Sequence, residues 1–537
     1  MQCSTRLDDP ASCGAIETIL GGIWSEILRT DAVRRGDTFP GLGGTAADAR
    51  QVSQRLRQLL GVGVSERLLL SAATLSQIAA SLRARQRQML AHMPSALRSD
   101  SLPLSTSQER MYFLTRIDGS DRAYLTQLAY RLHGALHETA LQQAFDRLVE
   151  RHEILRTRFE LLDGRAYQRV DPPHSFDLSV TDLRGAADID SEVQSALDAE
   201  AHTPIDLLRG SPIRARILRI GEDDSVLAIA VHHIVFDGAS VRILQRDLSA
   251  FYRAAVNGEP DCLPPLPVQY ADYCVWERHW SSAESMAEHV DYWSETLAGV
   301  PALLELPTDY PRPPLQRFAA GFVPIELSQV TSSLKHLCQQ CRTTLFTAIV
   351  SGWAIVLSRL SGKEDIVIGA PTLNRPRPEL QEVIGLFANS IALRLNLAGD
   401  PTLEQLLEQT HQVVLDAQEH AGLPFERVVE VVKPIRTLAY TPLFQVMCRW
   451  QSKLERDWDL HLEGLKNLEF AAPTTAGRFD LSLRLAERDG TIVGGLVYAK
   501  ALFSDASARR HAQYLNRVLA QMAHHSQMRV RQKATSP

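Results

Sequence analysis

Residues 231–238 read VHHIVFDG, and His232, His233 and Asp237 within them are the strongest chemistry-bearing group in the chain. Two adjacent histidines on an extended segment point to opposite sides, so one faces a given site while the other is directed into the fold. A histidine at a strand end can take or hold a proton near neutral pH, as general acid–base chemistry requires. Asp237 followed by Gly238 makes a turn, and a carboxylate there either orients an imidazole or anchors the loop through an arginine. For the pair taken alone, the competing reading is two core histidines satisfied by backbone, the commoner fate of histidines. Cys338 and Cys341 have CxxC spacing. No second CxxC or CxxH follows and the segment has helical periodicity, so ordinary helix cysteines are expected and no metal site.

The histidines follow an apolar, β-rich run at 225–231 (SVLAIAV), with amphipathic helices expected at 139–151 and 240–255. Further on, helices are expected at 343–360 and 402–419, and strands at 366–369, 443–450, 479–485 and 491–498. This alternation indicates an α/β architecture. A Pro-rich stretch at 297–314, containing LPTDYPRPP, continues neither kind of element and marks a crossing between two lobes, 102–275 and 276–527. Two such lobes leave a cleft between them, a common place for a ligand. The front of the chain differs. Ile16, Ile19, Leu20, Ile23, Trp24, Ile27 and Leu28 recur at helical spacing, Val52, Leu56, Leu59 and Leu60 repeat the pattern, and Thr74 is placed to cap a third helix through Leu75, Ile78, Ala79 and Leu82. A small helical bundle is expected over 12–86, then a polar, basic linker over 87–101 that breaks at Pro94.

The 537 residues exclude a single small binding module, and 45% hydrophobic with 22% charged residues excludes a disordered scaffold. Lys plus Arg number 57 against 63 Asp plus Glu, a net charge of −6, which leaves no overall basic surface to track a phosphate backbone; no nucleic-acid partner is expected. Seven cysteines at low density do not form a secreted disulfide framework. The start, MQCSTRLDDPASC, lacks both a basic and an apolar leader region, and no run of about 18 apolar residues occurs. A soluble, cytoplasmic protein with no membrane partner is expected, monomeric by default.

HHIVFDG resembles the HHxxxDG motif of nonribosomal peptide synthetase condensation domains, and six further stretches resemble that family's motifs in order. These are LSTSQERMYFL at 104–114, RHEILRTRF at 151–159, YADYCVW at 270–276, IGLFANSIALR at 384–394, HAGLPFE at 420–426 and TPLFQV at 441–446. The resemblance implies two chloramphenicol acetyltransferase-like lobes forming a V with a tunnel, in which a carrier-bound acyl or peptidyl thioester meets an acceptor amine. It picks His233 over His232 as the residue that positions the amine and accepts its proton or stabilises the tetrahedral intermediate. Orientation supplies much of the rate, because a thioester is already reactive. By the same analogy Gly238 offers a backbone N–H to the oxyanion, and Asp237 is structural, paired with Arg156 or Arg375. The family usually reads HHxxxDGWS, whereas Ala239 and Ser240 stand here, and both are expected in the tunnel wall. Ala239 either widens the tunnel on the donor side, admits an unusual acceptor, or is a neutral packing change. The arginine-rich head of the last motif is also absent, 436–440 reading RTLAY. RHEILRTRF resembles the class that accepts L-configured donors.

DTFPGLGGTA at 37–46 resembles the attachment motif of peptidyl carrier domains, DxFFxLGGxS. Such carriers hold 4′-phosphopantetheine on a serine at a helix start. Ala46 occupies that position and has no hydroxyl, so the cofactor is expected on partner carriers and at 46 only if serine is restored. The expected partners are donor and acceptor carrier domains, or a soluble amine, since no adenylation domain follows. Alternatives are ester formation or chain release with a soluble nucleophile, and a noncatalytic recruitment or docking domain. Relatives of the recruiting kind commonly lose the first histidine, which is retained here. A CoA-dependent plant-type acyltransferase is disfavoured by the absence of DFGWG, and an epimerase by the lack of an identifiable carboxylate base.

Overall fold

The computed structural model describes residues 11–30, 32–60, 63–64, 66–90, 93, 95–98, 101–115, 124–280, 283–451, 460–469, 476–524 and 529–530. The chain divides into two units, Met1–Pro94 and Ser95–Pro537.

In the first unit, helices Ala11–Leu28, Ala46–Leu60, Glu66–Leu69 and Leu75–Leu90 close around Leu20, Ile23, Trp24, Val52, Leu56, Ile78 and Leu82. Most of the expected apolar stripe is therefore inside, but Leu59, near the end of its helix, is 59% exposed. The side chain of Leu60 lies outside the described residues. Thr74 caps the last helix: its Oγ1 accepts from Gln77 N–H while Gln77 Oε1 accepts from Thr74 N–H at 2.9 Å. That helix runs on to Leu90, so the expected linker is helical in its first residues; the polar side chains lower amphipathicity but do not end a helix. Pro94 itself lies outside the described residues. Gly43 has φ +87° at the end of the turn Pro40–Leu42, and a methyl group on Gly44 would stand 2.4 Å from the Phe39 ring. Thr45 then caps the helix that begins at the exposed Ala46, its hydroxyl donating to Asp48 Oδ2 at 2.7 Å.

The second unit contains two α/β lobes. The first lobe's five-stranded sheet runs Lys466–Glu469, Leu125–His133, Asp224–His232, Ile213–Arg219, Leu178–Asp182, all antiparallel except the last pair. Helices Glu138–Arg151 and Gly238–Asn257 pack against each other beside it. A six-stranded mixed sheet forms the second lobe, in the order Asn389–Asn396, Asp365–Thr372, Val446–Gln451, Leu481–Arg488, Thr491–Ala499, Ala320–Glu326. Its main core lies between this sheet and helices Thr331–Gln340, Leu345–Ser361, Leu403–Glu419 and Asp505–His524. A small third sheet joins Leu102–Pro103, Arg165–Val170 and Thr157–Leu162.

The division of lobes is not sequential. Lys466–Glu469 falls in the stretch expected to be wholly second lobe, yet it pairs antiparallel with the first lobe's Leu125–His133, Lys466 opposite His133 and Glu469 opposite Tyr130. An edge strand offers unpaired N–H and C=O groups to any segment in reach, so sequence proximity does not decide which sheet a strand joins. Cys338 is buried in its helix and Cys341 sits at that helix's C-cap, both as free thiols. No single helix among the described residues is long and apolar enough to cross a membrane.

Candidate active site

Strand Asp224–His232 is buried on both faces, which its continuous apolar run requires, and it delivers the histidines at its end. Leu125 pairs with His232, and a single 3₁₀ turn, His233–Val235, follows. His232 is 1% exposed, and its Nδ1 accepts from Ile234 N–H at 3.0 Å, so in the neutral ring the proton sits on Nε2. Burial, with His233 beside it, pushes its pKa down to about 3. His233 turns the other way and lines a cavity of about 350 Å³ between the lobes. Its Nδ1 donates to the Phe236 carbonyl at 3.0 Å, which leaves Nε2 unprotonated and 3.3 Å from Thr126 Oγ1. Burial first, then the guanidinium of Arg478, holds His233 at about 4. The ring is therefore neutral at physiological pH, with the Nε2 lone pair accepting from the Thr126 hydroxyl at 3.3 Å.

Asp237 does not touch either imidazole. It caps helix Gly238–Asn257, its Oδ1 accepting from Ser240 N–H at 2.9 Å and from Ser240 Oγ at 2.7 Å. Arg375 Nη2 donates to the same oxygen at 3.0 Å, while Oδ2 accepts from Phe387 N–H at 3.1 Å and Ala388 N–H at 3.2 Å. One carboxylate thus collects donors from both lobes, and Arg375 in turn donates to the carbonyls of Leu380 and Val383. Arg156, the other arginine expected near Asp237, is elsewhere: it donates to the backbone carbonyls of Val149 and Asp171, because its 3₁₀ segment Glu153–Arg156 lies at the end of helix Glu138–Arg151. Ser240 and Ala239, expected in the tunnel wall, do not line this cavity. Ser240 is fully buried and accepts from Gly385 N–H at 3.1 Å, and Ala239 is half-buried. Gly238 does line it. A methyl group there would stand 2.8 Å from Arg449 Nη2, so the absence of a side chain lets that guanidinium lie against the loop.

The other motif residues hold this arrangement. Ser105 and Gln108 form a capping box on helix Thr106–Leu114, and Gln108 Nε2 donates to the Ile234 carbonyl at 3.0 Å, fixing the turn that carries His233. Arg110 meets Glu426 at 3.0 Å. Tyr270 OH donates to the Leu386 carbonyl at 2.6 Å, and Asn389 Nδ2 donates to the carbonyls of Ala421 and Leu423 at 2.8 Å. His152 is buried against Asp247 at 2.8 Å, tying RHEILRTRF to helix Gly238–Asn257. Tyr124, Thr126, Arg449 and Arg478 were not singled out by sequence. Thr126 is reached only through strand pairing. Arg449 carried one signal, interrupting an apolar β-run next to the core residue Cys448, whereas Arg478 in the polar stretch TTAGRFD carried none.

Residues 98–537 match the family described as condensation domain, and residues 19–82 match phosphopantetheine attachment site. The chain is 40% identical over 513 residues to malpinin synthetase of Mortierella alpina, covering 95% of this chain and 7% of that protein. It is 35% identical to a linear gramicidin synthase polypeptide of Brevibacillus parabrevis, covering 95% of this chain and 10% of that one. The chain thus spans a tenth or less of these relatives. Among solved structures, the X-domain from teicoplanin biosynthesis superposes with a TM-score of 0.76 at 28% identity, over 82% of this chain and 98% of that one. A four-domain nonribosomal peptide synthetase bound to AMP and glycine superposes at 0.72 and 24% identity, over 80% of this chain and 34% of that one.

Proposed function

The chain belongs to the condensation-domain family, with a carrier-type unit before the condensation fold, and from that premise we propose that it joins a carrier-bound acyl or peptidyl thioester to an amine, forming an amide. The observation that carries this reading is the unprotonated Nε2 of His233 at a cavity between the lobes, its tautomer fixed by the Phe236 carbonyl. We take the cavity as the middle of a tunnel that thioester and amine enter from opposite faces. His233 holds the amine against the thioester carbonyl and receives its proton as the C–N bond forms. The tetrahedral oxyanion collapses by breaking the C–S bond, and the departing thiolate takes the proton back from His233 to leave as the thiol. A ring held at about 4 is a weak base, so its larger contribution is orientation, which can supply several kcal/mol of the barrier, on the order of 7 or more in favourable cases. The N–H of Gly238, in the first turn of its helix, has no intrahelical acceptor and is a candidate donor to the oxyanion.

4′-Phosphopantetheine does not fit this chain's own carrier unit. Ala46 stands at the helix start with no oxygen to bear a phosphodiester. Thioesters therefore arrive on other carriers, and no step is assigned to residue 46.

Two further readings remain. A hydroxyl acceptor would give an ester at the same histidine. The likeness to an X-domain, a protein also solved in complex with OxyB, favours a noncatalytic recruiting role as the second reading. Acyl-pantetheine donors offered with a panel of amines and hydroxyls, followed by mass spectrometry with His233→Ala in parallel, separate them. Product that depends on His233 supports condensation, and its acceptor names the bond. No product from any acceptor, with partner binding intact in His233→Ala, supports recruitment.

A further inference from the structure

Around His233 the charges of the cavity wall do not balance. Asp237 is taken by Arg375 and Glu426 by Arg110. Arg449 and Arg478 also line the cavity, and among the described residues neither has a carboxylate partner. Arg484 lies near them, outside the cavity lining. Arg449 and Arg484 are directly opposite each other on the neighbouring parallel strands Val446–Gln451 and Leu481–Arg488. Their sequence neighbours Cys448, Leu483 and Leu485 are buried in the second lobe's core, so both arginines leave the other face of the sheet. Like charges directly opposite in a sheet are destabilising. Here there are two, with a third guanidinium, that of Arg478, 5.3 Å over the Tyr124 ring.

Resting on the condensation reading above, we propose that Arg449, Arg478 and Arg484 form a carboxylate-binding subsite, so that one of the two substrates joined beside His233 carries a free carboxylate next to its reacting end. Guanidiniums bind carboxylates through parallel N–H donors, and their charge is retained at any physiological pH. A transient oxyanion beside Gly238 would be met by Arg449 alone; Arg484 lies one strand, roughly 4.8 Å, further along the sheet, which suits a stable anion of a substrate. A pantetheine phosphate carries similar charge, but its arm separates it from the thioester, whereas Arg449 leans on the loop that holds His233. The carboxylate belongs to the donor, to an acceptor side chain, or to the α-position of a free amino acid.

Calorimetric titration of the full chain with matched pairs separates these sources: succinyl- against butyryl-pantetheine, isoglutamine against glutaminamide, and alanine against alaninamide. 4′-Phosphopantetheine against pantetheine serves as the phosphate arm. At least one carboxylate is expected to bind about 10-fold tighter than its neutral partner, as charge-assisted pairing allows. That preference should vanish in Arg449→Gln/Arg484→Gln, persist in part in Arg449→Lys, and survive in His233→Ala, where the transfer reading plays no part. Arg484→Gln alone, at an exposed position, keeps the test available if the double variant does not fold. Equal affinity within all three carboxylate pairs, a preference confined to the phosphate arm, or a carboxylate preference that survives loss of the arginines would overturn the proposal. So would a kcat loss in Arg449→Gln that is equal for charged and neutral acceptors with unchanged affinities, which would instead assign Arg449 to the oxyanion.

Discussion

Arg375 donates to Asp237 across 3.0 Å, and the two side chains are 3% and 1% exposed. The pair bridges a helix start in one lobe and the segment leading to Leu380 and Val383 in the other, and the same carboxylate caps the helix behind the histidines. Leaving one partner of such a pair alone in a dry site is the expensive event, because the remaining charge has lost its water and its counter-charge.

Arg375→Ala is therefore expected to destabilise the second unit by about 3–5 kcal/mol. Arg375→Lys recovers only part of this, since an ammonium cannot serve Asp237 and two carbonyls in the same fork. Chemical unfolding of the two variants beside the parent measures both. A cost below about 1 kcal/mol for the alanine variant contradicts the bracing role.

The histidines set a pH dependence whose sign follows from their depressed pKa values. In the unfolded chain they titrate near 6.5, whereas in the fold His233 does so at about 4 and His232 at about 3. As pH falls below 6.5 the unfolded state takes up protons first, so stability is full above 6.5 and is lost as pH drops toward 4, with His232 extending the loss to about 3. Together the two contribute on the order of a few kcal/mol at neutral pH. The acid limb of kcat/KM should likewise fall near 4, with the rate already level at pH 6. A limb at 6.5 would mean that His233 is wet in the working enzyme.

Gly238→Ala places a methyl group 2.8 Å from Arg449 Nη2, the far end of a flexible side chain. The fold should tolerate it at a cost of about 1 kcal/mol, but the guanidinium must leave the loop and activity should drop by roughly 10-fold, the consequence of small misplacement at a reacting centre. Thermal melts and single-turnover rates on the same preparation give both quantities. Unchanged rates would sever Gly238 from the chemistry.

Ala46→Ser restores a hydroxyl at an exposed helix start already capped by Thr45 and Asp48. Treatment with a phosphopantetheinyl transferase should add one phosphopantetheine mass to the variant and none to the parent chain, read by intact-mass spectrometry. Failure of the serine form to load would mean that this unit has lost recognition by the transferase as well as the nucleophile.

Much of this was legible in sequence because it is local. Periodicity found helices such as Leu345–Ser361 and Leu403–Glu419, and the run SVLAIAV gave the strand that carries the histidines. Thr74 was readable as a cap because capping is a three-residue interaction. What needed coordinates was long-range. Arg156 and Arg375 are equally plausible partners for Asp237 in one dimension, and only the fold brings the second within reach. The same holds for Thr126, which meets His233 through strand register, and for Arg449 opposite Arg484. Ser240 follows Asp237 closely enough to look like a tunnel residue, yet helix geometry turns its hydroxyl back onto the cap.

The strand Lys466–Glu469 has a consequence for anyone who would take the protein apart. It is the outermost member of the first lobe's sheet, contributed by chain that has already passed through most of the second. A fragment ending before residue 460 would leave Leu125–His133 with a naked row of amide and carbonyl groups, the template on which copies of a truncated lobe assemble edge to edge. The two lobes are thus one folding partnership, and the isolated first half is expected to self-associate along that bared edge.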